Sequence, residues 1–251
     1  TPLLVQAGAI VSEAGGILSH ASIIARNKIN EGYSRIIVVG GDGTMNEVIN
    51  GIFAQKRLKT TEVMLGMISV GTGNDWARMF HIPNDYEKAI LTIKSQKTFI
   101  QDAGLVTYKR NERTWQRYFM NIAGMGFGAK VVAKSNKQKE KGKSSATLYL
   151  INLFTSLMGY RSKKAQILID GQLLDRQVFN LSIGIGQYNG GGQMEISDAN
   201  PDDGLYTITL IKKMGKLNVI ANIKRLYNGK ITGHSKVESY SAKEISVDSP
   251  T

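Results

Sequence analysis

The sequence predicts an open α/β domain followed by a mainly-β domain built from antiparallel strands. Three observations carry this. Ile36-Ile37-Val38-Val39 is a continuous β-branched run, the pattern of a strand buried on both faces of a parallel sheet. A second apolar run, Val63 to Val70, repeats it, and each run ends in a glycine-rich turn that opens a helical period. Beyond residue 100 the texture changes to alternation, as in Leu205 to Ile211, where Tyr206, Ile208 and Leu210 share one face and Thr207 and Thr209 the other. Residues 1–100 and 101–251 are therefore the expected domains.

The elements follow in order. After Val39 comes Gly40-Gly41-Asp42-Gly43, then a helix with Val48, Ile49, Ile52 and Phe53 on one face. After Val70 comes Gly71-Thr72-Gly73-Asn74-Asp75, then a short helix from Trp76 to Phe80. In the second half, Gln166 to Ile169 and Val178 to Ile185 flank Asp170-Gly171, a hairpin signal. A helix over about Lys216 to Tyr227 interrupts the strands before alternation returns from Val237 to Val247.

Composition narrows the setting. The chain has 251 residues, 42% hydrophobic and 21% charged, which is ordinary for a globular protein. It has no cysteine, so neither disulfides nor thiolate metal ligation is available. The net charge of +12 suits an anionic phosphate ligand or a negative membrane face. No arginine-rich tail argues for nucleic acid as a partner. The densest cationic run, Lys130 and Lys134 through Lys143, reads as a solvated loop, with a lipid-headgroup patch as the sharper alternative. No secretory signal precedes the first strand, and the expected location is the cytoplasm. Leu148 to Met158 is apolar but interrupted by Asn152, Thr155 and Ser156, and reads as a buried helix.

The two glycine turns carry the chemistry. Each stands at the carboxyl end of a buried parallel strand, where ligands bind in open α/β sheets. Glycine lets the backbone approach a phosphate, and the helix start adds positive partial charge. Thr44-Met45-Asn46-Glu47 also matches a capping box, in which hydroxyl and carboxylate satisfy reciprocal backbone donors. Gly-Lys-Ser/Thr is absent, so neither turn is a Walker A loop, and neither is a Rossmann fingerprint. Residue chemistry alone reaches a phosphate-binding α/β domain.

Val38 to Gly51, containing Gly-Gly-Asp-Gly-Thr-Met-Asn-Glu, resembles the signature of the diacylglycerol kinase catalytic family, which includes bacterial lipid kinases and sphingosine kinases. Gly71 to Arg78 resembles its second motif, and Asn121 to Phe127, Tyr188 to Gly192 and Pro201 to Leu205 resemble later stretches. The similarity runs from about residue 30 to 247. It implies an α/β nucleotide-binding domain followed by an antiparallel β-sandwich-like domain, and an ATP- and Mg²⁺-dependent kinase for a lipid hydroxyl. Gly40, Gly41, Asp42, Gly43 and Thr44 would then cradle the ATP phosphates, with Glu47 supporting the loop, and Gly71, Thr72, Gly73 and Asn74 would line the same nucleotide. Asp42 is the catalytic candidate within the chain, and Asp203 with Leu205 match a Mg²⁺ position. Gly128 stands where many members carry Asp, and the family's Asp-Gly-Glu turn, with its expected base, would lie beyond Thr251, which would lower turnover. The implied partner is a lipid at the inner membrane face, visited transiently; a homodimer is left open. NAD kinases share the first turn, but Trp76 after the second favours the lipid-kinase version.

Ala7 to Arg26, with Gly15-Gly16-Ile17-Leu18-Ser19-His20-Ala21, resembles a different group: the phosphohistidine swivelling domain of phosphoenolpyruvate-utilising enzymes. That resemblance implies a composite chain, with His20 as a remnant. It also opens two alternatives to the lipid kinase: a phosphoryl carrier through His20, or a nucleotide- or lipid-binding module without catalysis.

Overall fold

The structure, a computed structural model, describes residues 9–11, 20–110, 112–139 and 146–249. The remainder of the segment resembling a swivelling domain, together with Lys141, Lys143 and Thr251, lies outside them. The chain divides into two compact units, residues 1–121 and 122–251.

Unit 1 is built on a parallel three-stranded sheet of β1 (Ala9–Val11), β2 (Arg35–Gly40) and β3 (Met64–Ser69), in that order. Helix α1 (His20–Glu31) buries Ala21, Ala25 and Ile29 in the same core as Ile36, Val38, Met45 and Val48. Helix α2 (Asp42–Ala54) lies against it so closely that a Cβ on Gly51 would sit 2.3 Å from the Ser22 carbonyl oxygen. Residues from 20 onward are thus part of the unit's own core, and they supply the βα unit that opens the sheet. Helices α3 (Asp75–Met79) and α4 (Tyr86–Lys94) follow β3.

The unit boundary falls later than the expected position near residue 100. An antiparallel hairpin, β4 (Gly104–Arg110) and β5 (Arg113–Phe119), belongs to unit 1. Long-range bonds hold it there: Asn50 on α2 donates to the Tyr118 carbonyl and accepts from the Tyr118 N–H, each at 2.9 Å. Beside them Arg117 pairs with the buried Glu47.

Unit 2 carries the antiparallel sheet β12-β11-β8-β7-β13, with β6 (Ile122–Gly126) also on β8. Strand β8 (Gln172–Gly184) is long enough to change partners. Its first half pairs with β7 (Lys163–Ile169), and its second half lies between β6 and β11 (Tyr206–Lys212). The Asp170-Gly171 turn is as expected, with φ of +42° and +88°, and only glycine adopts the second value without strain. Strands β12 (Val237–Ala242) and β13 (Ile245–Asp248) complete the sheet, and β9 (Tyr188–Asn189) and β10 (Gln193–Met194) form a small ribbon. Both faces of β11 are covered, so Thr209 is as buried as Ile208 and Leu210.

Two readings need correction here. The described part of the cationic run, Lys130 to Lys139, is not a loop: it lies in helix α5 (Phe127–Lys139). The Leu148–Met158 stretch is helical, as α6 (Ala146–Gly159), yet only one face is buried; Ile151, Phe154 and Met158 face outward. The interrupting Asn152 and Ser156 are the residues turned inward. Helix α7 (Lys216–Tyr227) matches its expected bounds. Among the described residues, no helix is long and apolar enough to cross a membrane.

A three-partner knot pins β12 to its neighbours. Glu238 accepts from Lys212 Nζ at 2.8 Å, Tyr240 Oη at 2.8 Å and Arg176 Nε at 3.1 Å. Burial alone would raise the Glu238 carboxyl, but these donors outweigh it and hold it at about 2. A carboxyl depressed on folding contributes stability above its unfolded value, and that contribution is lost as pH falls toward 2. Glu238→Gln is therefore expected to lower the melting temperature at pH 7, with the gap from the parent closing as pH falls from 4.5 to about 2. Thermal melts of both proteins across that range check this.

Candidate nucleotide site

The two glycine turns meet. A Cβ built on Gly71 would lie 2.6 Å from the Gly41 Cα, and one on Gly41 would lie 3.0 Å from the Gly71 Cα. Only glycine at both positions allows this backbone-to-backbone approach. The sheet register produces it, because β2 and β3 pair in parallel with Gly40 opposite Ser69, and the Val70 N–H extends the ladder to the Gly40 carbonyl at 3.0 Å.

Asp42 locks the contact. Its Oδ1 accepts the Trp76 N–H at 2.9 Å, and its Oδ2 accepts the Asp75 N–H at 3.1 Å. The first residue of α2 thus caps the first turn of α3, where a carboxylate is favoured by the helix dipole. The candidate base is therefore engaged through both oxygens as the link between turns. Asn74 supports the second turn from within, in the left-handed conformation (φ +52°), with its Nδ2 donating to the Gly71 carbonyl at 3.0 Å.

Helix α2 begins three residues before the capping box requires. Gly41 is its N-cap, and its first ladder bond runs from the Met45 N–H to the Gly41 carbonyl at 3.1 Å. Thr44 is therefore inside the helix and buried, and Glu47 faces Arg117 across to β5. The N–H groups of Asp42 and Gly43 precede the ladder at the positive end of the dipole. Gly43 is the open member of the turn: a Cβ there would meet nothing within 4 Å. Thr72 is exposed, and Gly73 is half-buried beside it.

Two buried side-chain oxygens at the second turn, Ser69 Oγ and Asn74 Oδ1, have no hydrogen-bond partner among the described residues. They offer a donor and an acceptor beside backbone N–H groups, a mixture suited to a phosphate with its hydroxyl-bearing sugar. Ser69 escaped the sequence reading because nothing distinguishes a serine at a strand end from a solvated one. A cavity of about 770 Å³ in unit 1 lies elsewhere, among Ile36, Ile52, Phe53, Phe80, Phe99 and Met120. Its lining is mainly apolar, and the site is placed at the turns by chemistry rather than by volume.

Other candidates are placed as follows. Asp203 Oδ1 accepts the Leu205 N–H at 3.0 Å in an exposed turn leading to β11. Among the described residues, no group of three or more His, Asp or Glu side chains stands together as a metal cluster. His20 is exposed at the start of α1. Unit 2 also holds a buried polar chain that the sequence did not disclose. Ser182 Oγ donates to Glu195 Oε2 at 2.5 Å, Asn180 Nδ2 donates to Ser182 Oγ at 3.0 Å, and Asn180 Oδ1 accepts the Gly128 N–H at 2.8 Å. Gly128, where the family pattern carries Asp, is thereby bonded at the start of α5.

Comparison with known proteins agrees with this architecture. The family described as diacylglycerol kinase catalytic domain matches residues 3–106. The YegS C-terminal NAD kinase beta sandwich-like domain matches residues 121–251. The first match takes in the segment that resembles a swivelling domain, and no comparison supports that second resemblance. Diacylglycerol kinases of Staphylococcus aureus strains bovine RF122 / ET3-1 and JH9 are each 32% identical over 237 residues, 93% of this chain and 70% of theirs. A solved structure from Bacillus anthracis str. Sterne superposes with a TM-score of 0.66 at 22% identity, covering 96% of this chain and 74% of that one. A second from that organism, described as a diacylglycerol kinase, gives 0.63 at 22% identity, covering 96% and 73%. These likenesses confirm the fold: an α/β unit followed by an antiparallel β-sandwich-like unit. By both its domain matches and its relatives, the chain belongs to the diacylglycerol kinase catalytic family.

Proposed function

We propose that the chain is an ATP-dependent lipid kinase that transfers the γ-phosphoryl group of Mg²⁺–ATP to a lipid hydroxyl. The observation that carries this reading is the contact of Gly41 with Gly71, which makes two phosphate-compatible turns into one cradle. The family relationship supports the chemistry. Mg²⁺ bound with the nucleotide would supply charge neutralisation in the transfer. The chain's residues position it: the α2 N-terminus and glycine backbone receive the phosphates, and Asp42 holds the two turns in register. Phosphoryl transfer asks little covalent chemistry of a protein, so a rigid cradle is a large part of the task.

Incubation with γ-labelled ATP, Mg²⁺ and a panel of diacylglycerol, monoacylglycerol, sphingoid base, phosphatidylglycerol and undecaprenol tests the reaction. Label is expected on lipid. Acid-labile label on protein, lost in His20→Ala, would favour the phosphoryl carrier instead, and ATP binding without transfer would favour a binding module.

Gly43→Val separates ligand approach from folding, because a Cβ at this position has no tertiary neighbour within 4 Å. It is expected to weaken ATP binding about tenfold or more, ~1.4 kcal/mol, with thermal stability close to the parent. Calorimetric titration and a melt check both halves; unchanged affinity would remove the phosphate assignment.

Asp42→Asn decides between linking and base roles. An amide replaces one acceptor oxygen by a donor facing the Asp75 or Trp76 N–H, so stability is expected to fall by about 1–3 kcal/mol, with ATP affinity falling too. Loss of turnover alone, with stability and affinity intact, would instead identify Asp42 as the base.

A further inference from the structure

Helix α3 serves two places at once. Its opening N–H groups are bonded to Asp42 at the cradle, while its Trp76 and Met79 side chains line the cavity of about 770 Å³ in unit 1. That volume is in the range of pockets that enclose a small organic ligand. Packed interiors hold few voids larger than a water molecule, and apolar walls give water few partners. A hydrocarbon is the occupant such a space suits.

The cavity follows the open edge of the sheet. Strand β3 ends the order β1-β2-β3, and Met64 to Met67 contribute to one wall. Residues 96–103, which form no helix or strand, contribute another. This segment leaves Phe99 and Ile100 53% and 67% exposed. It is tied down at Gln101, which accepts the Trp76 indole N–H at 2.8 Å and donates to the Met120 carbonyl at 2.6 Å. Trp76 thus joins the cavity wall to the helix that Asp42 caps.

One end of the cavity is cationic. Arg35 stands opposite Met64 where β2 and β3 begin. Helix α4 returns toward that end, since a Cβ on Gly66 would meet Ile93 Cγ1 at 3.1 Å, and Lys97 follows the helix by three residues. Arg35 and Lys97 are both exposed, and both line the cavity. Of the carboxylates in the lining, Glu62 accepts the Lys59 N–H at 2.8 Å, and Asp102 follows Gln101 at the Trp76 side. An anionic head on a hydrocarbon chain complements this arrangement.

We propose that the cavity is a ligand site for a single-chain lipid anion, with its hydrocarbon along β3 and its head at Arg35 and Lys97, and that filling it firms the nucleotide cradle through α3. A ligand packed on Trp76 and Met79 favours the α3 position that Asp42 caps. By linkage, the lipid anion and the nucleotide then raise each other's affinity by the same factor. The coupling rests on the nucleotide reading; binding of the lipid anion does not.

The test uses the full chain with Trp115→Phe, which leaves Trp76 as its one tryptophan. Oleate, oleoyl lysophosphatidate and oleyl alcohol are titrated below their micelle concentrations while Trp76 emission is followed. A saturable change at one ligand per chain is expected, with the anions bound several-fold more tightly than the alcohol. The tighter of the two anions distinguishes a carboxylate from a phosphate head. Arg35→Glu with Lys97→Glu should remove the preference for anions, and Ile100→Asp should weaken both anions about tenfold. All three side chains are exposed, so melting should stay near the parent. Saturating oleate should tighten ATP binding about fivefold or more by calorimetry.

Unsaturable uptake of many ligands per chain, or alcohol bound as tightly as the anions, would overturn the site. So would a lipid-free dimer that Ile100→Asp dissociates, because a second copy would then cover the β3 edge. Unchanged ATP affinity at saturating oleate would overturn the coupling. Saturable oleate binding by a chain that binds no ATP would leave the cavity standing and remove the nucleotide reading instead.

Discussion

The approach of Gly41 to Gly71 is the constraint on which unit 1 is organised. A Cβ on Gly71 would lie 2.6 Å from the Gly41 Cα, too close for any side chain, and one on Gly41 would lie 3.0 Å from the Gly71 Cα, so the two turns are drawn tight against each other. Asp42 converts proximity into a joint, its two carboxylate oxygens accepting from the Asp75 and Trp76 N–H groups that open α3. That capping fixes where α3 begins and therefore sends Trp76 into the core. Trp76 in turn bonds Gln101 through its indole N–H at 2.8 Å, and Gln101 reaches the Met120 carbonyl at 2.6 Å. One glycine contact is thus transmitted through a carboxylate, an indole and an amide to the segment closing the unit.

Helix α2 collects the remaining constraints. Its first turn faces the cradle, its middle bonds the hairpin through Asn50 and Glu47, and its Gly51 admits α1. A helix held on three sides presents its N–H groups in fixed directions, the preorganisation that electrostatic binding of phosphate needs. Glu47 serves this framework through Arg117. Ser69 Oγ and Asn74 Oδ1 add polar capacity where the framework ends.

What could be read from sequence follows from how local each cause is. The runs at Ile36 to Val39 and Val63 to Val70 were legible because burial on both faces leaves a continuous apolar signature. The Asp170-Gly171 turn was legible because positive φ at both positions selects few residues. The cradle was legible as two motifs, but not the joint between them, since Asp42 bonds residues more than thirty positions away. The β4–β5 hairpin was missed for the same reason: its attachment depends on Asn50 meeting Tyr118, 68 residues on. The capping box failed because Gly41 already starts the helix, leaving Thr44 inside it. Helix α6 misled because its composition is apolar, whereas the placement of Asn152 and Ser156 inward is set by tertiary packing.

The most direct test of a single cradle is to follow backbone amide resonances of Gly40 to Thr44 and Gly71 to Asn74 while Mg²⁺–ATP is titrated into the labelled chain. If the two turns receive one set of phosphates, both groups of amides shift together with the same apparent Kd. Amides of one turn moving alone, or neither turn responding while ATP binds elsewhere, would contradict the account.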